Sequence, residues 1–220
     1  MTFSEEHFLL DDTVPGTLWA PAGGDGPLIL IAHGGGQHRG APSVTGRARM
    51  LVAAGFRVAA LDAPGHGDRP DPVGSPMQGT ADGLAERVAR INAEVAARAL
   101  PEWRAALDRL TPGGPAGFWG VSMGAAIGLE LMAADQRITA GVLGLTGARH
   151  DLAATITVPV EFALQWDDEF VPRASALALF DAFASTEKTL HANPGRHAEL
   201  PRFEAGSALR FFQRHFPQRE

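Results

Sequence analysis

Gly120-Val121-Ser122-Met123-Gly124 is the stretch of this chain best suited to chemistry. A serine with glycine two residues away on either side fits a very tight turn. In such a turn the hydroxyl is exposed and any larger side chain would strike neighbouring backbone. The chemistry would be nucleophilic attack by the serine. Its hydroxyl is a poor nucleophile at neutral pH, so it needs a base beside it, and the base needs an orienting carboxylate. With 26 glycines among 220 residues the spacing also arises by chance. The partners therefore have to come from elsewhere in the chain.

Downstream, an apolar run at 160–164 leads into Gln165-Trp166-Asp167-Asp168-Glu169-Phe170-Val171-Pro172. An acid just past a strand end is where an orienting carboxylate would sit. Asp168 has the D-x-x-V-P spacing and Asp167 is the alternative. Taken alone, the three acids would read as a solvated turn. Further on, Gly195-Arg196-His197 lies in a turn-rich loop ahead of the last helical pattern, so His197 can serve as general base. His191 reads instead as closing the last strand. A fourth element, His33-Gly34-Gly35-Gly36, follows an apolar run directly. Acyl transfer builds an oxyanion, and glycine-rich backbone can aim bare N–H groups at it. The expected donors are the N–H of Met123 and that of Gly35, ahead of Gly36 or Gln37. His33 itself reads as structural.

These residues need elements to position them. A continuous apolar run at 27–32 and mostly apolar runs at 56–61, 116–120, 141–145 and 159–164 predict strands buried on both faces, the signature of a parallel sheet. Runs at 8–10 and 17–20 flank a turn-rich spacer at 11–16 and predict a first hairpin. Helical patterns lie between the strands at 47–54, 174–183 and 203–212. A long helix carries Leu84, Val88, Ile91 and Val95 on one face, with Pro101 expected to kink or restart it. Strand–helix alternation predicts an α/β fold with a mostly parallel central sheet and helices on both faces. Ligands of such sheets bind beyond the carboxyl ends of the strands, where Gly35, Ser122 and Asp168 fall.

Composition narrows the function further. A 220-residue chain with 45% hydrophobic residues fits one globular domain, 1–220. A net charge of -6 without a basic run excludes an electrostatic footprint for nucleic acid or an anionic membrane. With no cysteine, disulfides, thiolate metal sites and cysteine nucleophiles are excluded. No cluster has metal-ligand spacing, so neither metal nor cofactor is expected. The N-terminus has no basic segment followed by a long apolar core, so no secretory signal is read and a cytoplasmic location is expected.

Taken together, these motifs resemble an α/β-hydrolase-fold serine hydrolase over essentially the whole chain. The order Ser122, Asp168, His197 matches that family's Ser–acid–His order, and Leu61-Asp62-Ala63-Pro64-Gly65-His66-Gly67 resembles its D-x-P-G-H-G turn. Asp62 and His66 read as structural or pocket-rim groups. Only 146–157 separates two neighbouring strands where many relatives insert a cap, so a capless esterase is expected, with 68–82 as a possible lid loop. The compact dienelactone-hydrolase-like members are similar in size, but they use cysteine.

The resemblance implies hydrolysis of small or medium carboxylic esters through an acyl-enzyme, with a small-molecule ester as the partner and the oligomeric state left open. Thioester or amide hydrolysis, perhydrolysis, or non-catalytic binding of a small molecule are the alternatives. Gln37, Trp166, Phe170 and His150 are candidates to line the pocket, and Arg39 and Arg69 could bind a substrate carboxylate.

Overall fold

The computed structural model describes residues 3–69 and 83–217. In chain order the elements are β1 (Phe3–Leu10), β2 (Val14–Pro21), β3 (Leu28–Ala32), α1 (Pro42–Ala53), β4 (Arg57–Leu61), α2 (Leu84–Leu110) and β5 (Ala116–Val121). They continue with α3 (Met123–Ala134), β6 (Ile138–Gly144), α4 (His150–Ala153), β7 (Val160–Gln165), α5 (Arg173–Ala182), β8 (Lys188–Asn193) and α6 (Phe203–His215). The eight strands form one sheet in the order β1-β2-β4-β3-β5-β6-β7-β8. β1 and β2 are antiparallel, and β2 runs antiparallel to β4. From β4 through β8 every neighbouring pair is parallel. This is the mostly parallel sheet that the sequence predicts, and no cap stands between β6 and β7, which are separated by a segment whose one helix is α4.

Alternation along β3 shows why the sheet is covered on both faces. Leu28, Leu30 and Ala32 point to one side, into a core with residues of α2, α3 and α5. Ile29 and Ile31 point to the other, with Trp19, Trp119 and residues of α1 and α6. β3 pairs with β4 on one side and β5 on the other, so the crossovers leaving it diverge and open a crevice at its carboxyl end. Ala32 sits opposite Gly120 in that register, which brings the His33 loop beside the Ser122 turn.

Several elements differ from expectation. β2 starts at Val14 because Val14, Pro15 and Gly16 pair with Leu10, Leu9 and Phe8, leaving the turn to Asp11, Asp12 and Thr13. α1 starts at Pro42 rather than at residue 47, since proline suits the first helical position and outweighs the poor helix former Gly46. α2 runs unbroken through Pro101, because buried residues on both sides of it, Ala96 and Ala99 before and Trp103 and Leu107 after, hold the helix on the core. The four-residue α4 had no sequence signal. Of the possible lid, Asp68 and Arg69 are described, and 70–82 lie outside the described residues. No described helix is long and apolar enough to cross a membrane.

Candidate active site

The Ser122 turn is built by close packing of backbone. β5 ends at Val121, α3 begins at Met123, and Ser122 between them has φ 56° and ψ -122°, a sparsely populated conformation for a residue with a side chain. A Cβ on Gly120 would overlap the Gly124 carbonyl, and one on Gly124 would lie 2.5 Å from the Ala32 carbonyl oxygen. Both glycines are therefore dictated by sterics. The Ser122 N–H donates to Gly144 O (2.8 Å), and Ser122 O accepts from Ala125 and Ala126, so the strained residue is bonded on both sides.

Ser122 Oγ lies 3.0 Å from His197 Nε2, and His197 Nδ1 lies 2.7 Å from Asp168 Oδ2. A carboxylate only accepts, so Nδ1 carries the hydrogen and Nε2 is left to accept from the serine hydroxyl. Asp168 is nearly buried, and its other oxygen accepts the N–H groups of Phe170 (2.8 Å) and Val171 (2.9 Å), which fixes the carboxylate plane. Asp167 turns away, receiving the Gly195 N–H at 3.4 Å. The His197 N–H donates to Glu169 Oε2 (3.0 Å), and that bond holds the Glu169 carboxyl below its ordinary range. Phe170 meets the His197 ring edge-on, with centroids 5.0 Å apart.

Beneath the histidine loop is a residue that sequence reasoning missed. Gln165, buried at the end of β7, donates from Nε2 to the carbonyls of Pro194 (3.3 Å) and Arg196 (3.2 Å). The available signal was a polar residue closing an apolar strand just ahead of the acids. On the other side of the serine, His33 is buried and bonded at both ring nitrogens, to Gly34 O (2.9 Å) and to the Ala63 N–H (3.0 Å). Burial pushes it down to about 4, so the ring is neutral at neutral pH and structural. Asp62 is fully buried and accepts from Arg39 and from the Asp68 N–H, holding the 62–68 turn together.

Ser122 and His197 open onto a cleft of about 790 Å³. Its floor is Trp119, Val142 and Glu161. α1 contributes Ser43 and Arg47 to one wall, and α6 contributes Glu204 to the other. Gly35 and Gln37 line its upper edge, where Gln37 accepts from the Ser43 hydroxyl at 2.8 Å. The other predicted pocket residues are not brought to this cleft. Trp166 is 44% exposed and stacks against Arg173, because β7 ends one residue earlier and the chain turns outward. Phe170 lines a smaller hollow with Thr146 that adjoins the cleft at Leu145, across the His197 ring. His150 starts α4 on the surface. Arg39 is paired with Asp62 and Asp68, and Arg69 with Glu102, so neither is left for a substrate.

On the α6 side the sheet carries a polar group with no counterpart in the sequence reading. His191 Nδ1 contacts Glu204 (2.5 Å), His191 Nε2 faces Glu161 at 3.8 Å, and Asn193 Nδ2 donates to Glu204 at 2.8 Å. Glu161, His191 and Glu204 could each offer a ligand atom to a metal, all within 4.8 Å of one another. The two histidine nitrogens face different carboxylates, however, which fits a hydrogen-bonded bridge between them. Burial pushes the Glu161 carboxyl up.

The model of the alpha/beta hydrolase family matches residues 29–219. No curated protein matches the chain significantly. Among solved structures, a cold-adapted esterase from an Arctic intertidal metagenomic library, in complex with polyethylene glycol, is 33% identical. That match covers 97% of this chain and 94% of the other, with a TM-score of 0.80. The acetyl xylan esterase of Paenibacillus sp. R4 is 16% identical, with 96% and 88% covered and a TM-score of 0.68. An esterase of Pyrococcus furiosus is 15% identical, with 97% and 92% covered and a TM-score of 0.71. The last two show likeness of fold alone.

Proposed function

This chain belongs to the alpha/beta hydrolase family and is a hydrolase of ester bonds, and we propose that it works as a serine esterase on small or medium carboxylic esters. The observation that carries the reading is the continuous hydrogen-bonded chain from Ser122 Oγ through His197 to Asp168. Ser122 Oγ attacks the ester carbonyl carbon as its proton passes to His197 Nε2. Asp168 keeps the Nδ1 hydrogen in place and stabilises the imidazolium that forms. The N–H groups of Met123, at the open first turn of α3, and of Gly35 receive the oxyanion. His197 then gives its proton to the departing alcohol, leaving an acyl group on Ser122. A water molecule deprotonated by His197 attacks that group, and the acid departs as Ser122 recovers its proton.

The test is intact-mass labelling with a fluorophosphonate, on wild type and on Ser122→Ala, followed by a panel of ester and thioester substrates. One adduct on wild type and none on the variant is the expected result. A folded wild-type protein that takes no adduct and turns over no ester would refute the reading and favour a non-catalytic binder.

A further inference from the structure

Arg47 is a cation in the wall of the Ser122 cleft that has no hydrogen-bond acceptor or ion-pair partner among the described residues. It lies on α1 one turn after Ser43, half-buried, with its guanidinium stacked over the Trp119 indole, 4.8 Å from the ring centroid. Burial with no compensating charge pushes it down to about 10, still a cation at neutral pH. The other charged groups of the cleft interior are already matched. Glu204 accepts from His191 and Asn193, and Glu161 accepts from Ser207 and faces His191. Arg202, at the start of α6, is exposed at the mouth.

A half-buried guanidinium without a protein acceptor has lost part of its hydration, a cost that an anion would offset. Its planar fork matches the two oxygens of a carboxylate. Trp119 lies in β5 three residues before Ser122, which stands in the turn after that strand, so the ring under the guanidinium is set back from the nucleophile by roughly 10 Å of chain. We infer that Arg47 is the anion subsite of this cleft, and that the preferred substrates carry a carboxylate several carbons from the scissile carbonyl, as monoesters of dicarboxylic acids do. This rests on the serine-esterase reading. It also separates Arg47 from Arg39 and Arg69, whose charges are spent within the fold.

The experiment compares wild type, Arg47→Met and Arg47→Lys on the monomethyl esters of glutarate, adipate and suberate. Each is paired with the methyl ester of the straight-chain fatty acid of equal length, and turnover is followed by proton release. Wild type is expected to favour the charged member of at least one pair. Arg47→Met should lose roughly 10- to 100-fold in kcat/KM on the charged ester, mostly through KM. The neutral partner should lose several-fold less, so that the charged-to-neutral ratio of kcat/KM falls, and a thermal melt reports that the variant is folded. Arg47→Lys, with the charge but no fork, should fall between. Equal losses on both members of each pair, or a wild-type preference for the neutral ester, would overturn the inference while leaving the esterase reading intact. If wild type cleaves neither, the esterase reading fails, and calorimetry with adipate judges the subsite alone. Binding to wild type that Arg47→Met abolishes supports it, whereas no binding, or equal binding, overturns it.

Discussion

His33 Nε2 accepts the backbone N–H of Ala63 across 3.0 Å, two strands' worth of loop joined through one buried ring. Because that bond is made by an acceptor nitrogen, the other nitrogen must carry the hydrogen, which it donates to Gly34 O. The ring thus ties the glycine loop beside Ser122 to the turn after β4, and it can do so only while neutral.

The consequence for stability has a definite sign. Burial holds His33 near 4 in the native protein against 6.5 in the unfolded chain. Between those values the unfolded state binds a proton that the native state refuses. The stability His33 contributes is complete above about pH 6.5 and falls as pH drops toward about 4, by up to about 3 kcal/mol. Denaturant melts across this range should show a steeper decline for wild type than for His33→Gln. Parallel curves would mean that the ring is not held neutral by the fold.

The two candidate acids should separate cleanly. In Asp168→Asn the amide oxygen would keep the N–H bonds of Phe170 and Val171 and turn its NH2 toward His197 Nδ1. That selects the tautomer with hydrogen on Nε2, which cannot accept from Ser122, and kcat is expected to fall about 10⁴-fold. Asp167→Asn should stay within about threefold of wild type, as a residue that only receives a long bond from Gly195. Steady-state kinetics on one activated ester decides between them.

Gly124→Ala should cost about 3 kcal/mol, since the new Cβ would lie 2.5 Å from Ala32 O and 3.0 Å from His33 O, both backbone atoms that cannot step aside. Gly46→Ala, in α1 with open space around it, should instead stabilise by up to about 1 kcal/mol. Urea titration of the two variants gives the comparison, and equal midpoints would contradict the packing argument.

Gln165→Leu removes the two donations that hold the Pro194 and Arg196 carbonyls under the His197 loop. We expect kcat to drop between about tenfold and 100-fold while KM stays nearly unchanged, the pattern of a misplaced base. An unchanged kcat with an intact melting curve would show that the loop holds His197 without Gln165.

Strands β3 to β7 were legible because each is a short, mostly apolar run bounded by turn residues, a signal complete within a few positions, whereas β8 (Lys188–Asn193) is too polar to give it. Helix boundaries were less so. α1 starts at Pro42, before the helical pattern visible at 47–54, and α2 passes through Pro101 because packing on both sides of it holds the helix. The Ser122 turn could be read because its requirement is local: glycine must stand two residues either side, whatever surrounds it.

What the chain by itself determined was therefore the α/β alternation, the strained serine, and the order in which serine, acid and histidine occur. These follow from steric and hydrophobic rules that act over a few residues. The rest needed segments far apart in the chain to meet. Asp168 rather than Asp167 faces His197 because the turn after β7 aims one carboxylate inward and its neighbour outward. Arg39 and Arg69 are ion-paired with Asp62 and Glu102, while Arg47 meets the face of Trp119 and no carboxylate among the described residues. Whether a charge is spent or left free depends on which remote groups the fold brings within reach of it, and no local pattern encodes that distance.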